Sequence, residues 1–148
     1  MSANRSIEIL LAEDSPADAR LVREAFMDSV LRVNLNAVPD GEAALSYLRG
    51  EGKYNGVEFP DLILLDLNMP RMDGREFLRV AKSDPCFRRI PMVVLTTSKD
   101  VEDIVKSYDL HANSYVRKPL GMSDFITAIR SIEAFWFGMA RLPVRSVL

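Results

Sequence analysis

The sequence predicts an α/β fold, a doubly wound five-stranded parallel sheet with five flanking helices. Three short apolar runs, at residues 7–12, 61–65 and 91–95, are too short for amphipathic helices and are typical of strands buried on both faces. Segments with the helical spacing of apolar residues lie between them. Strands that alternate with helices are joined by right-handed crossovers, so the sheet is expected to be parallel and covered on both sides.

Each predicted helix follows a residue pair or a serine that is typical of a helix start. These starts are Ser15-Pro16, Asp40-Gly41, Asp73-Gly74, Ser98 and Ser123. Two further runs, at residues 35–38 and 114–116, complete the five strands. By analogy with other open α/β sheets we expect the flavodoxin-like strand order 2-1-3-4-5, with functional groups at the carboxyl ends of the strands.

Size and charge limit the class of protein. The 148 residues, 48% of them hydrophobic and 27% charged, suit one globular domain over residues 1–148. A net charge of −2 disfavours nucleic acid as a partner, because binding to phosphate backbones needs clustered Lys and Arg. The N-terminal residues fit neither a signal peptide nor a membrane span, and the single Cys86 fits a reducing compartment. We therefore expect a cytoplasmic protein that contacts neither membrane nor nucleic acid.

Polar residues stand where the predicted strands end. Glu13 and Asp14 follow strand one, Asp66 follows strand three, Thr96 ends strand four and Lys118 follows strand five. If strands one and three are neighbours, three carboxylates converge, and like charges this close cost folding energy unless a cation intervenes. Mg²⁺ is the natural counter-ion for such a set of oxygen ligands.

The same residues indicate phosphoryl chemistry. Asp66 is a carboxylate able to attack a phosphoryl group and become an acyl phosphate. The metal ion and Lys118 would neutralise charge on the phosphoryl oxygens, and the carbonyl of Asn68 could supply another metal ligand.

Each residue taken singly has an ordinary interpretation. Asp66 could be a turn former or a helix cap, and the pair Glu13 and Asp14 could simply begin a helix. Thr96 alone suits a strand, and Lys118 alone suits a solvated surface. The combination favours a site, because acidic, hydroxyl and cationic residues fall at four separate strand ends on one edge of the sheet.

Four motifs together resemble the receiver domain of two-component response regulators: AEDS (12–15), LILLDLNMPRMDG (62–74), VVLTTS (93–98) and YVRKPL (115–120). The resemblance covers about residues 7–132. It implies that a sensor histidine kinase phosphorylates Asp66. It also implies that Mg²⁺ is held by Asp14, Asp66 and the Asn68 carbonyl, with Glu13 assisting through water.

The resemblance further implies a conformational switch. Thr96 matches the hydroxyl residue that turns toward the phosphoryl group, Lys118 matches the family's ion-pairing lysine, and Tyr115 matches the aromatic residue that moves with the threonine. The peptide bond between Lys118 and Pro119 is expected to be cis. Phosphorylation would alter the face formed by helix four, strand five and helix five.

The C-terminal segment, at about 133–148, is rich in aromatic residues. Phe135, Trp136, Phe137 and Met139 crowd together near the end of helix five, and one helix cannot bury all of them. Apolar patches of this kind often mark interfaces, so we expect a homodimer through the C-terminal face and an output by protein contact. The alternative is that Trp136 and Phe137 fold back over the last helix.

Three less specific features resemble the single-domain regulators that partner phytochrome-type histidine kinases in cyanobacteria and other bacteria. They are the loop GEGKYNGVEFP (50–60), the sequence DLH (109–111) and the sequence IEAFW (132–136). The resemblance implies a kinase partner of that type.

The leading hypothesis is a phosphoryl-accepting signalling switch that is not an enzyme, apart from taking part in its own phosphorylation and dephosphorylation. One alternative is an interaction module that acts without phosphorylation. Another is a small Mg²⁺-dependent phosphohydrolase with an aspartyl-phosphate, but that class would carry an acid where this sequence has Asn68, and a cap domain.

Overall fold

The computed structural model of the protein describes residues 6–29, 31–97 and 100–143. Within these ranges five parallel strands form one sheet in the order β2-β1-β3-β4-β5, which confirms the predicted fold class and strand order. The strands are β1 (Ile7–Ala12), β2 (Val33–Val38), β3 (Leu62–Leu65), β4 (Met92–Thr96) and β5 (Ser114–Arg117). The helices are α1 (Pro16–Met27), α2 (Gly41–Arg49), α3 (Gly74–Ser83), α4 (Val101–Asp109) and α5 (Met122–Glu133).

The central strands bury side chains on both faces of the sheet. On one face Leu10 and Ile63 belong to an apolar cluster covered by α2 and α3. On the other face Ile9 and Leu64 belong to a second cluster, covered by α1 and α5. Each large side chain buried in this way contributes roughly 1.5–3 kcal/mol to folding. The continuous apolar runs in the sequence are the consequence of this two-sided burial.

The edge strand β2 is the element that the apolar pattern predicted least well, because it begins at Val33 and not at residue 35. Its exposed Asn34 donates a hydrogen bond from Nδ2 to Glu8 Oε2 at 2.8 Å. Only one face of an edge strand of this kind needs apolar side chains, so the sequence signal is weak at its start.

Side-chain caps fix three of the predicted helix starts. Ser15 Oγ accepts a hydrogen bond from the Asp18 N–H, and Asp40 and Asp73 cap α2 and α3 in the same way. The other two predicted starts differ. Asp100 caps α4, whereas Ser98 lies outside the described residues. The N-cap of α5 is Gly121, so the predicted start at Ser123 is wrong, because Ser123 already lies in the first helical turn.

Lys82, on α3, forms hydrogen bonds to the segment before β4 and to the turn before β5. Its Nζ donates hydrogen bonds to the carbonyl oxygens of Arg88 and Ile90, both at 2.9 Å, and to Asn113 Oδ1 at 3.0 Å. Burial lowers the pKa of Lys82 to about 8. Because Asn113 Oδ1 also accepts the Met92 N–H, the α3–β4 connection and the turn before β5 are held in register.

The chain continues past α5 in a π-helical segment, Ala134–Met139. Trp136 and Phe137 are partly buried against the second apolar cluster, as in the alternative interpretation of the tail. Phe135 and Met139 remain 50% and 78% exposed. The segment thus divides its apolar residues between the domain and the surface, and residues 144–148 of the tail lie outside the described residues.

None of the described helices has both the length and the apolar composition needed to span a membrane.

Candidate functional site

Three acidic residues, Glu13, Asp14 and Asp66, lie close together at the carboxyl ends of the neighbouring strands β1 and β3. The register pairs Ala12 with Leu65, and the Asp66 N–H donates to the Ala12 carbonyl oxygen at 3.0 Å. One carboxylate oxygen each of Glu13, Asp14 and Asp66 lies within 4.8 Å of the others. The strand order therefore produces the convergence of charge that the sequence analysis expected.

The three acids differ in their access to solvent. Asp14 is exposed, whereas Glu13 is 6% exposed and Asp66 is 8% exposed. The Asp66 side chain retains 11% of its accessible surface, so a small group can reach it from the rim of the sheet. The set consists of hard oxygen donors, which is the chemistry that suits Mg²⁺.

Lys118 lies among these acids. The side chain is 3% exposed, and its Nζ donates to Glu13 Oε1 at 2.5 Å, to Asp18 Oδ2 at 2.8 Å and to Asp66 Oδ2 at 3.4 Å. The Lys118 N–H donates to the Thr96 carbonyl oxygen at 2.7 Å, which continues the pairing of β4 and β5. Part of the charge compensation expected from a metal ion is therefore supplied by the protein itself.

Asp18 is the residue of this group that the sequence analysis missed. It lies in the first turn of α1, and acidic residues there are ordinarily explained by the helix dipole. The sequence feature that could have indicated a role for Asp18 is its position three residues after the N-cap Ser15, close to the predicted acidic site at Glu13 and Asp14.

The pKa values of the buried pair follow from burial and from their contact. Burial raises the pKa of Glu13 to about 7, since it outweighs the opposing effect of the Lys118 hydrogen bond and charge. Burial by itself would lower the pKa of Lys118. Its hydrogen bonds to Asp18 and Glu13, together with the charges of Glu13 and Asp66, raise that pKa above its ordinary value.

The loop after β3 is anchored to the start of α2. Arg71 Nε donates to Asp40 Oδ2 at 2.6 Å, and the Gly41 N–H donates to the Met72 carbonyl oxygen at 2.8 Å. Arg71 has a left-handed backbone, with φ of 63°. Within the loop the Asn68 N–H approaches Asp66 Oδ1 at 3.4 Å. These contacts fix the loop that carries Asp66 and Asn68.

Gly74 closes the same loop and has no room for a side chain. Its N–H donates to the Leu67 carbonyl oxygen at 2.9 Å, and a Cβ there would overlap the Asp66 carbonyl oxygen and lie 2.8 Å from Leu67 Cα. Because the obstacles are backbone atoms, Gly74→Ala is expected to displace the loop and to lower the free energy of unfolding by roughly 1–3 kcal/mol. Urea denaturation measures this.

The matched control is Gly138→Ala, since a Cβ there meets nothing within 4 Å. Its free energy of unfolding should stay close to that of the wild type. Equal stability of the two variants would contradict the proposed crowding around Gly74.

Thr96 and Tyr115, the two predicted switch residues, lie on neighbouring strands. Thr96 is fully buried at the end of β4, and its register partner on β5 is Arg117. Tyr115 is half-buried against the first apolar cluster, and its N–H donates to Tyr108 Oη at 3.2 Å. A movement of Thr96 would thus act directly on the neighbouring strand β5.

One expectation drawn from the resemblance is wrong. Among the described residues no peptide bond is cis, so the bond between Lys118 and Pro119 is trans. The trans form is the ordinary preference of bonds before proline.

The doubly wound fold and the cluster of carboxylates around one lysine define a receiver domain. The family model for the response regulator receiver domain matches residues 9–130. The chain therefore belongs to the response regulator receiver family.

Particular members of the family are similar over nearly the whole chain. Response regulator Rcp1 of Synechocystis sp. is 45% identical over 135 residues, which cover 91% of this chain and 92% of that protein. The crystal structure of the phosphorylated cyanobacterial phytochrome response regulator RcpA is 47% identical, with a TM-score of 0.92, and the match covers 95% of this chain and all of that one. The Mn(2+)-bound form of Rcp1 is 44% identical, with a TM-score of 0.89, over 93% of this chain and 99% of that one. The resemblance to phytochrome response regulators is thereby confirmed.

Proposed function

We propose that this protein is a phosphoryl-accepting signalling switch and that Asp66 accepts the phosphoryl group from a sensor histidine kinase. The observation that carries the proposal is the position of Asp66, which lies 3.4 Å from Lys118 Nζ and within 4.8 Å of two further carboxylates. The side chains of Glu13 and Lys118 are each 3% exposed, whereas that of Asp66 is 11% exposed. Of the two buried acids, Asp66 is therefore the one that solvent and a phosphoryl donor can reach.

The reaction is a transfer from nitrogen to oxygen. A carboxylate oxygen of Asp66 attacks the phosphorus of a phosphohistidine, the P–N bond breaks, and the kinase imidazole leaves as the acyl phosphate forms. Lys118 stands beside the attacking carboxylate and supplies positive charge to the phosphoryl oxygens. The anchored loop after β3 holds Asp66 in place during the transfer.

Mg²⁺ is the cofactor that we propose for this site. Asp14 and Asp66 would hold it, together with the Asn68 carbonyl and with Glu13 acting through water. When bound, the ion would neutralise charge on the transferring phosphoryl group. The oxygen-only donor set supports this, as does the crystallisation of the similar protein Rcp1 in an Mn(2+)-bound form.

The output is proposed to be a change of protein contacts. Phosphorylation makes the charge at Asp66 more negative, from that of one carboxylate to roughly −1.5 to −2, and adds acceptor oxygens. The new charge and acceptors draw Thr96 and Lys118 toward Asp66. Tyr115, on the strand next to Thr96, would then move. The nearby surface of α4, β5 and α5 carries exposed apolar side chains suited to a partner: Val105, Tyr108, Leu120 and Met122.

The partner kinase is proposed to be of the phytochrome type, since the similar structures are phytochrome response regulators by name. In this proposal the chain catalyses no reaction on other molecules, and it acts in the cytoplasm without nucleic acid or membrane. An interaction module that works without phosphorylation, or an aspartyl-phosphate phosphohydrolase, would replace the proposal if the following test failed.

The test is incubation of the purified protein with acetyl phosphate and Mg²⁺, followed by intact-protein mass spectrometry. A single added phosphoryl group is expected, and it should be lost in hydroxylamine, which cleaves acyl phosphates. Omission of Mg²⁺ should slow the labelling strongly. Protein that stays unlabelled while a known receiver domain becomes labelled in the same solution would overturn the proposal. Steady hydrolysis of added phosphomonoesters would favour the phosphohydrolase.

We also propose a homodimer through the C-terminal face, and the structure changes which residues should be tested. Trp136 and Phe137 pack partly against the domain, whereas Phe135 and Met139 are exposed. The double variant Phe135→Ser, Met139→Ser is therefore expected to reduce a dimer to a monomer without unfolding the domain. Light scattering coupled to size exclusion, over a range of concentrations and with and without phosphorylation, measures this.

Val57→Ser is the control for the dimer, because Val57 is an exposed apolar residue in the connection between α2 and β3 and belongs neither to the tail nor to the surface of α4, β5 and α5. Its molecular mass should equal that of the wild type. A double variant with wild-type mass at every concentration would rule out self-association through Phe135 and Met139.

A further inference from the structure

Asp18 makes an unusual contact for a residue at its helical position. As the third residue of α1 it lies where an acid commonly accepts the N–H of the N-cap residue. Here the Ser15 N–H donates instead to Glu13 Oε2 at 3.2 Å. The Asp18 carboxylate is thus available elsewhere, and its Oδ2 accepts a hydrogen bond from Lys118 Nζ at 2.8 Å.

The three acceptors around Lys118 Nζ are not equivalent. The distances are 2.5 Å to Glu13, 2.8 Å to Asp18 and 3.4 Å to Asp66. An ammonium group has three donors, so these three carboxylates can occupy all of them. The longest distance is to the proposed phosphoacceptor, and the ammonium group is therefore held on the side of Glu13 and Asp18.

We propose that Asp18 is a positioning residue that competes with the phosphoryl group on Asp66 for Lys118, and so sets the rate of phosphoryl transfer. This inference rests on the proposed function. Lys118 can assist the transfer only when its Nζ approaches the phosphoryl oxygens, and each hydrogen bond to Asp18 opposes that approach. Glu13 belongs to the proposed metal site, so Asp18 is the competitor whose carboxylate has no other assigned role.

Removal of the charge at position 18 should release Lys118 toward Asp66. The Asp18 side chain is 31% exposed, so water screens its attraction to Lys118. In Asp18→Asn the rate constant of phosphorylation by acetyl phosphate is therefore expected to rise roughly threefold to fivefold, the effect of losing one partly exposed ion pair. Asp18→Glu keeps a carboxylate beside Lys118 and is expected to retain the wild-type rate.

Asp124→Asn is the matched control, since Asp124 occupies the corresponding position in the first turn of α5 and is exposed. It removes an acid from a helix start without touching Lys118, and its rate should equal that of the wild type. The experiment measures phosphorylation of the full chain by mass spectrometry at saturating Mg²⁺. The second measurement is a pair of metal-free crystal structures, one of the wild type and one of Asp18→Asn.

In the crystal structures the distance from Lys118 Nζ to Asp66 Oδ2 is expected to shorten from 3.4 Å in the wild type to about 2.8 Å in Asp18→Asn. A rate in Asp18→Asn no greater than in Asp124→Asn would overturn the inference, and so would an unmoved Lys118. Failure of the wild type to become phosphorylated would instead refute the proposed function, and the position of Lys118 would still test the competition.

Discussion

Asp66→Asn is expected to abolish phosphoryl incorporation from acetyl phosphate while the domain remains folded. A carboxamide is not a nucleophile toward phosphorus, and the Asp66 backbone N–H still pairs with Ala12 in the variant. Lys118 keeps its closer contacts to Glu13 and Asp18, so the loss of its 3.4 Å contact is a small structural change. The expected result is no detectable added phosphoryl mass, with a circular dichroism spectrum equal to that of the wild type.

Asp109→Asn is the control for this variant, because Asp109 is an exposed acid at the end of α4. It should be labelled at the wild-type rate. Undiminished labelling of Asp66→Asn would show that another residue accepts the phosphoryl group. The proposed mechanism would then have to be abandoned, although the receiver fold would stand.

Lys118→Met is expected to have the largest effect on stability. The substitution leaves the buried Glu13 and the mostly buried Asp66 without the ammonium group that compensates them. Removal of one partner from a buried ion pair typically costs roughly 3–5 kcal/mol, and a loss of this size is expected at pH 8 without metal. Addition of Mg²⁺ should restore part of it, because a divalent cation replaces the missing charge. Urea denaturation with and without Mg²⁺ measures both effects.

The stability lost in Lys118→Met should also depend on pH in a defined direction. The pKa of Glu13 is raised by burial to about 7, so the folded state binds this proton more tightly than the unfolded state. The contribution of Glu13 to stability therefore falls as pH rises from about 4.5 to 7. Lys118 opposes the rise in that pKa, and its removal shifts the pKa further upward. Lys118→Met should consequently be closer to the wild type at pH 6 than at pH 8.

Lys106→Met is the comparison for Lys118→Met, since Lys106 is an exposed cation on α4. Its stability should follow that of the wild type at both pH values. A Lys118→Met variant as stable as Lys106→Met at pH 8, in the absence of metal, would contradict the charge compensation described for the site.

The sequence by itself determined the architecture and the main acids of the site. Apolar runs with no polar interruption can be satisfied only by strands covered on both faces, and cap residues such as Asp40 and Asp73 act within one helical turn. The positions of Glu13, Asp14 and Asp66 follow from the same local signals, because strand ends in a parallel sheet share an edge. Where the local signal was weak, as at the edge strand β2 and at Gly121, the predicted boundaries were wrong.

Only the tertiary structure decided how the charges pair. Asp18 and Lys118 are 100 residues apart in the sequence, and no local pattern states that the first turn of α1 and the end of β5 meet. The same is true of the tail, where packing against the second apolar cluster partly buries Trp136 and Phe137 and leaves Phe135 exposed. The direction of a hydrogen bond from an ammonium group depends on side-chain packing around it, and that packing exists only once the sheet and its helices have assembled.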